Sequence, residues 1–551
     1  MPIYRPACPS APSNLVASLT IHSCAIRGGP VSGSLRLCGR GVHTSFSMPF
    51  FNSPPLTSVS AGRLYRVGLV GSALVAIALI AVLVIYQPLP ADGGWYSYPA
   101  FALSLGRNGY EQWLPVDTLL QAGGLRAVFE WDTTSSTRTL IMAAWFRVIG
   151  HSLLSVRLLA VAELAALLCA AHLMYRRHFG ASVFAGLCTL LLLHDKNLLA
   201  GASDARPDIA LAALACMLYL VLQRRTVSAG TVFQAIALAA LAATLHLTSP
   251  IPLAFVFTAA FVDAWLDEAA VRRARIALIT GTVLVAAVAF LVSDRALGVL
   301  LDRPAQLGHS FDLVTRIVDG WRGGVLALAQ KEVQRWLNHY FLSNATELLA
   351  VALGLAAAIG FRSRGIPTAL KATLAGLAAA VVVTAAFDPH ISESHILPLV
   401  PFTILLLQPL QRFRPWRVIG AMAGLLTVAT LLSGVLAWRI AREAQSIGFS
   451  NQRLTSELTA LTRGDSPSVV IGGAELWPYF GTDDSVVLLD LTRNPLQVSD
   501  AAGFSRARFI VATADYLSWG WDRHVQEMVS AGRATIRYYA PGRVLIAELH
   551  Q

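Results

Sequence analysis

Charge is what this sequence has least of. Only 14% of its 551 residues are Asp, Glu, Lys or Arg, and 55% are hydrophobic. A soluble globular chain is nearer a quarter charged, so an ordinary water-soluble fold is excluded. The mean hydropathy of +0.58 agrees. Cysteine is scarce as well. Cys169, Cys188 and Cys216 fall inside apolar runs, where cysteine behaves as a small core residue. The other three, Cys8, Cys24 and Cys38, precede residue 60. None lies in the C-terminal region, so no disulfide framework is visible there. A Gly-x-Gly-x-x-Gly phosphate loop is missing too. Gly472-Gly473 lacks the spacing, and with it goes the reason to expect a bound dinucleotide. The apolar runs do not alternate as barrel strands would, and no two-fold repeat of the kind that marks many transporters is found.

What is present is a series of long apolar runs. Their approximate limits are 66–86, 152–175, 182–201, 207–223, 229–246, 250–265, 274–293, 346–361, 368–387, 395–411 and 416–438. Each is near the ~20 residues of a spanning helix or somewhat short of it. Backbone groups in lipid must be satisfied within the segment, so these are helices. The expectation is an α-helical polytopic membrane protein with about eleven transmembrane helices. The formal charge of +11 invites a nucleic-acid reading, which the distribution rejects. Arg176-Arg177, Arg224-Arg225, Arg272-Arg273, Arg362 with Arg364, and Arg412 to Arg417 sit in alternate short loops. Such clustering marks the cytoplasmic side. The opposite side then receives a long loop 87–151, a second loop 294–345, and the tail.

Three regions follow. Residues 1–61 are rich in Ser, Pro and Gly and lack a compact apolar segment before a cleavage site. They are expected to be a disordered extension rather than a signal peptide, with Met48 as an alternative start. Residues 62–438 form the membrane module. Residues 439–551 change character. Short β-like runs at 468–472, 485–491, 508–512, 534–538 and 543–549 flank a helical stretch at 522–531. This predicts a small extracytoplasmic α/β domain.

The candidate chemistry begins at Asp92-Gly93-Gly94-Trp95-Tyr96, directly after the first run. A carboxylate there is either an interfacial residue in a Pro/Gly turn or the head of a site. The aromatic stretch Trp95, Tyr96, Tyr98 and Phe101 suits a helix lying in the membrane interface. A second amphipathic stretch, 139–149, leads to Gly150, Ser152, Ser155 and Arg157. On the same side, Ser203-Asp204-Ala205-Arg206-Pro207-Asp208 precedes a run. Pro207 suits a first helical turn and Asp208 faces the positive terminus; an ordinary helix start is the competing reading. Glu163 and His194-Asp195-Lys196 lie within or near the ends of runs, where polar groups must pair or face a cavity.

These segments resemble the GT-C superfamily of polyprenyl-phosphate-sugar glycosyltransferases, in the branch of protein O-mannosyltransferases, aminoarabinose transferases and Rgt-like enzymes. The likeness covers about residues 62–225 and beyond that rests on topology. It departs from the family at one point: many members have Asp-Glu where this chain has Asp92-Gly93. The resemblance implies that Asp92 and Asp208 are catalytic, with Asp92 as base or acceptor-orienting group. It implies that Asp204, Arg206, Tyr96 and His395 meet the substrate, and that Glu130, with His246, could hold a divalent metal ion. A lone His at a helix end is more often a hydrogen-bonded structural residue. The implied partners are a polyprenyl-phosphate-linked sugar, membrane lipid and an extracytoplasmic acceptor, with no nucleic acid. The implied location is the inner (plasma) membrane, with the N-terminus cytoplasmic. A secondary transporter or lipid-linked-sugar flippase is the alternative, and a non-catalytic scaffold leaves Asp92 and Asp208 unexplained.

Overall fold

A computed structural model describes residues 58–108, 116–129, 135–180, 183–203, 206–300, 324–334, 337, 345–360, 367–387, 397–462, 468–480, 486–490 and 506–550. Glu130, Asp204 and His395 lie outside them, as does most of the loop 294–345. The first apolar run is helix α1 (Ser58–Tyr86). It is followed by α2 (Ala91–Ser104), α3 (Val116–Ala122), strand β1 (Arg126–Phe129) and α4 (Ser136–Ile149). The remaining bundle helices are α5 (Leu153–Phe179), α6 (Val183–Leu193), α7 (Lys196–Gly201), α8 (Asp208–Leu222), α9 (Ala229–Leu245), α10 (Pro250–Trp265) and α11 (Ala269–Leu300). After α12 (Gly324–Gln334), α13 (Ala345–Gly360) and α14 (Thr368–Phe387) comes the four-residue α15 (Val400–Thr403). It runs into a 3₁₀ segment, Ile404–Arg412, that contains Pro409. The last long helix is α16 (Pro415–Ser446).

The protein is thus a multi-pass, mostly helical membrane protein. Among the described residues, five helices are long and apolar enough to cross a bilayer and five apolar segments are shorter. Eleven were expected. The short ones need a locally thinned bilayer, snorkelling flanking residues or neighbouring helices to cross. One cause is visible at 182–201, expected as a single run. Asp195 breaks it, because its carboxylate accepts the N–H groups of Asn197 and Leu198, both at 2.9 Å, and caps α7. That is the ordinary use of Asp at a helix start. Its neighbour His194 joins Ser72 at 2.8 Å and Ser433 at 2.9 Å, linking α1, the break and α16. Glu163 pairs with Arg138 of α4.

The tail continues as α17 (Asn451–Thr462), β2 (Ser468–Ile471), a 3₁₀ turn (Ala474–Leu476), α18 (Trp477–Phe480), β3 (Val486–Asp490) and β4 (Ala507–Thr513). It ends in α19 (Ala514–Ser518), α20 (Trp521–Ser530), β5 (Ala534–Ala540) and β6 (Val544–Leu549). The sheet order is β1-β3-β2-β4-β6-β5. The β1/β3, β3/β2 and β2/β4 pairs are parallel; β4/β6 and β6/β5 are antiparallel. All five β-like runs of the tail are strands. The sixth strand, β1, comes from the loop after α1 and pairs with β3 of the tail, Arg126 opposite Val487 and Phe129 opposite Asp490.

 The long stretch of chain between Phe129 and Val486 is why no local sequence pattern announces the pairing. The loop and the tail therefore share one sheet.

α2 is the element on which both parts meet. The sequence suggested a Pro/Gly turn at 92–94 and then a helix lying in the interface. Instead the helix begins at Ala91, takes in Asp92, Gly93 and Gly94, and is buried along most of its length. Tyr98 and Phe101 are completely enclosed and belong to the core of the sheet domain. The hydroxyl of Tyr98 accepts the N–H of Ala127 in β1 at 2.8 Å. Trp477 stacks on Phe101 with ring centroids 4.4 Å apart, and its indole N–H donates to Ser97 at 2.8 Å. Gly94 explains itself here. A Cβ at that position would lie 2.0 Å from the backbone nitrogen of Glu475, so only glycine allows α2 to touch the 3₁₀ turn.

Candidate functional site

The site is built from two helix starts. Asp92 stands in the first turn of α2 and Asp208 in the first turn of α8. Arg206, just ahead of α8, joins them. Its Nη1 donates to Asp92 and its Nε donates to Oδ2 of Asp208 at 3.0 Å. One guanidinium spanning two carboxylates is a geometry that Arg supplies and Lys does not. The three groups differ in exposure. The side chain of Asp92 is 37% exposed, that of Arg206 10%, and that of Asp208 1%. Asp92 is thus the member that a substrate can reach. Asp208 is enclosed behind Arg206.

Tyr96 lies one helical turn from Asp92. The Arg206 guanidinium sits 6.0 Å from the centre of its ring, a cation–π separation. Its hydroxyl meets Nε2 of His246 at 2.9 Å. His246 ends α9, and its Nδ1 lies 2.7 Å from the hydroxyl of Thr248. The backbone N–H of Thr248 also donates to Nδ1, at 3.3 Å. If Nδ1 accepts, the neutral ring carries its proton on Nε2 and donates to Tyr96. Both ring nitrogens of His246 are engaged in this way. Among the described residues no group of three His, Cys, Asp or Glu is arranged to hold a metal ion. Glu130, the other residue named for a metal ion, lies outside the described residues, and no metal-dependent step is assigned.

The sheet domain closes on the same helix start. Asp515, in the first turn of α19 after β4, accepts the N–H of Ala91 at 2.8 Å. Burial pushes its carboxyl pKa up, the hydrogen bond from Ala91 opposes that, and the charge of Asp92 adds to the rise. Tyr479 accepts the N–H of Leu89 at 3.1 Å and donates to Asn451 at 3.1 Å. Burial raises its phenol pKa to about 12. Asn451 in turn donates to the carbonyls of Val84 and Gln87 at 2.8 and 2.9 Å. Arg157 of α5 donates to the carbonyls of Leu83, at 3.0 Å, and of Val84 and Gln87. These are the acceptors a helix C-terminus leaves open. The end of α1 and the start of α2 are therefore clamped from both sides. Ser152 caps α5 by accepting the N–H of Ser155 at 3.1 Å. His151 meets the Ser104 hydroxyl at 2.7 Å. Burial and then Arg107 lower its pKa.

Of the residues singled out in the sequence, Asp92, Arg206, Asp208, Tyr96 and His246 are thus brought together. Asp515, Tyr479, Trp477 and Asn451 were missed. The signal for Asp515 was an acidic residue just past a strand. In open α/β sheets the crevice outside the carboxyl ends of the strands is the usual ligand position. Here Glu475 follows β2, Asp515 follows β4, and both reach the first turn of α2.

A membrane bundle carrying an Asp-Arg-Asp cluster at two helix starts, covered by a mixed sheet, defines the class. Structural comparison places a known fold on it. The chain is similar to ArnT from Cupriavidus metallidurans bound to undecaprenyl phosphate, with 12% identity and a TM-score of 0.55, over 89% of this chain and 98% of that one. The apo state of the same protein matches with 13% identity and a TM-score of 0.53 over the same shares. An oligosaccharyltransferase from Archaeoglobus fulgidus, in complex with zinc and sulfate, has 12% identity and a TM-score of 0.40. It covers 86% of this chain and 72% of that one. No protein-family model matches the sequence, and no curated protein is similar to it. The chain has the fold of ArnT from Cupriavidus metallidurans.

Proposed function

We propose that this protein is an integral-membrane glycosyltransferase that takes a sugar from a polyprenyl-phosphate donor and passes it to an extracytoplasmic acceptor. The observation that carries the reading is the Asp92–Arg206–Asp208 cluster, with Asp92 alone open to a substrate. Support for the donor comes from ArnT, whose fold this chain shares and which is bound to undecaprenyl phosphate.

The reaction follows from the chemistry of the groups. The acceptor hydroxyl loses its proton to the Asp92 carboxylate as its oxygen bonds the anomeric carbon of the sugar. The bond from that carbon to the phosphate oxygen breaks, and polyprenyl phosphate leaves with the electron pair. Attack from the face opposite the leaving group inverts the anomeric centre. Arg206 holds Asp92 in place and supplies positive charge near the departing phosphate. Asp208 acts through Arg206, fixing the guanidinium from behind. Tyr96, held by His246, forms the aromatic wall. The membrane module faces a lipid donor from its apolar side, and the sheet domain lies on the acceptor side, in the plasma membrane with the basic loops inward.

The test is Asp92→Asn in purified protein, given labelled undecaprenyl-phosphate sugars of pentose, hexose and aminopentose type. General-base catalysis is worth on the order of 10²–10⁴-fold, so kcat should fall by that range with donor KM little changed. Undiminished transfer removes Asp92 from the reaction.

A further inference from the structure

We infer that Asp515 of the C-terminal sheet domain is a positioning residue for Asp92, holding the first turn of α2 by accepting the N–H of Ala91. This rests on the reading of Asp92 as the reactive carboxylate.

Helix α2 has an unusual start. Its N-cap is Pro90, whose side chain offers no acceptor. A helix leaves its first N–H groups without internal partners, and Ser, Thr, Asp or Asn at the N-cap normally supplies one. Here the acceptor comes from 424 positions away: Oδ2 of Asp515 lies 2.8 Å from the Ala91 nitrogen. Ala91 is the residue next to Asp92, so the hydrogen bond fixes the backbone from which the reactive side chain departs.

The same domain grips the helix at neighbouring points. The Leu89 N–H donates to Tyr479, Gly94 rests on the backbone of Glu475, and Ser97 accepts from Trp477. The carboxylate is thereby aimed at the substrate by a part of the chain remote in sequence. Asp515 brings a carboxyl to this helix start from the sheet side. Its own geometry serves Ala91 rather than a substrate. A small displacement of a reacting group far exceeds its apparent size in effect, with about 1 Å costing on the order of 10²-fold.

The experiment uses the full chain in lipid nanodiscs. Asp515→Ala, Asp515→Asn and Asp92→Asn are compared with the parent. Two quantities are read: steady-state transfer from the best undecaprenyl-phosphate sugar of the panel above, and amide hydrogen exchange in the peptide covering residues 89–97. Asp515→Ala should accelerate exchange there and lower kcat by about tenfold to 10²-fold, with donor KM within about threefold. Asp515→Asn keeps an acceptor oxygen and should recover most of the lost kcat and the slow exchange. Thermal unfolding of Asp515→Asn checks that the domain is folded. Unchanged exchange in Asp515→Ala, or faster exchange with kcat retained, overturns the inference. So does failure of Asn to rescue a folded protein. The exchange reading does not depend on turnover. If Asp92→Asn keeps full transfer, the catalytic reading fails by itself; if only Asp515→Ala is silent, the positioning role alone fails.

Discussion

At the scale of single residues, the site depends on one cation shared by two acids. Arg206 reaches Asp92 and Asp208 from different nitrogens of a planar fork. A lysine ammonium is a point charge and cannot reproduce the pair. Arg206→Lys should therefore lower kcat by roughly 10–100-fold, the equivalent of the ~1.5–3 kcal/mol in a charged hydrogen bond. Parallel steady-state assays at saturating donor check it; retention of full kcat would mean that charge suffices without geometry. Asp515 allows a prediction about pH. Its folded pKa is raised above the ordinary carboxylate value, first by burial and also by the charge of Asp92, against the opposing hydrogen bond from Ala91. A carboxyl with a raised folded pKa binds more protons folded than unfolded, so its contribution to stability is fully present below the ordinary carboxylate pKa and is lost as pH rises from there through the folded pKa. Asp515→Asn removes the buried charge and keeps the acceptor. Its unfolding midpoint should exceed that of the parent at neutral pH, and the gain should shrink toward pH 4 and vanish below it. Thermal scans across pH would show a constant difference if the charge were not responsible.

At the scale of elements, the bundle depends on helix ends as much as on apolar faces. The apolar run 182–201 is broken where Asp195 caps α7, and beside it His194 ties three segments through hydroxyls. Loss of an N-cap typically costs ~1 kcal/mol. Asp195→Ala should lower the unfolding midpoint by that equivalent and leave the transfer reaction intact, because α7 carries none of the reacting groups. A large loss of kcat at unchanged midpoint would tie the break to the reaction. The end of α1 follows the same rule. Arg157 and Asn451 satisfy its last carbonyls from opposite sides, the first from the bundle and the second from the tail.

At the scale of the whole molecule, the sheet domain is not an appendage. Its edge strand β1 is lent by the loop after α1, and its 3₁₀ turn rests on Gly94. Gly94→Ala places a methyl against backbone that cannot move aside. Overpacking of this kind costs roughly 1–3 kcal/mol. The variant should unfold its sheet domain at lower temperature and lose kcat together with it, read by intrinsic tryptophan fluorescence from Trp477 and Trp521 and by transfer assays. An unchanged midpoint would show that α2 and the turn part without cost.

The chain by itself determined the membrane character, the helix-rich module and the five strands of the tail, since composition and hydrophobic period are local properties. It also marked Asp92, Arg206 and Asp208, because a polar cluster at the start of an apolar run is legible wherever it falls. Only the tertiary structure decided that α2 is buried, that β1 completes the sheet, and that Asp515 caps a helix hundreds of residues away. Contacts between distant segments depend on which surfaces fit once packed, and no periodicity in either segment encodes its partner. The unequal helix lengths have the same origin: hydropathy marks where apolar residues run, whereas capping side chains and neighbouring helices set where each helix stops.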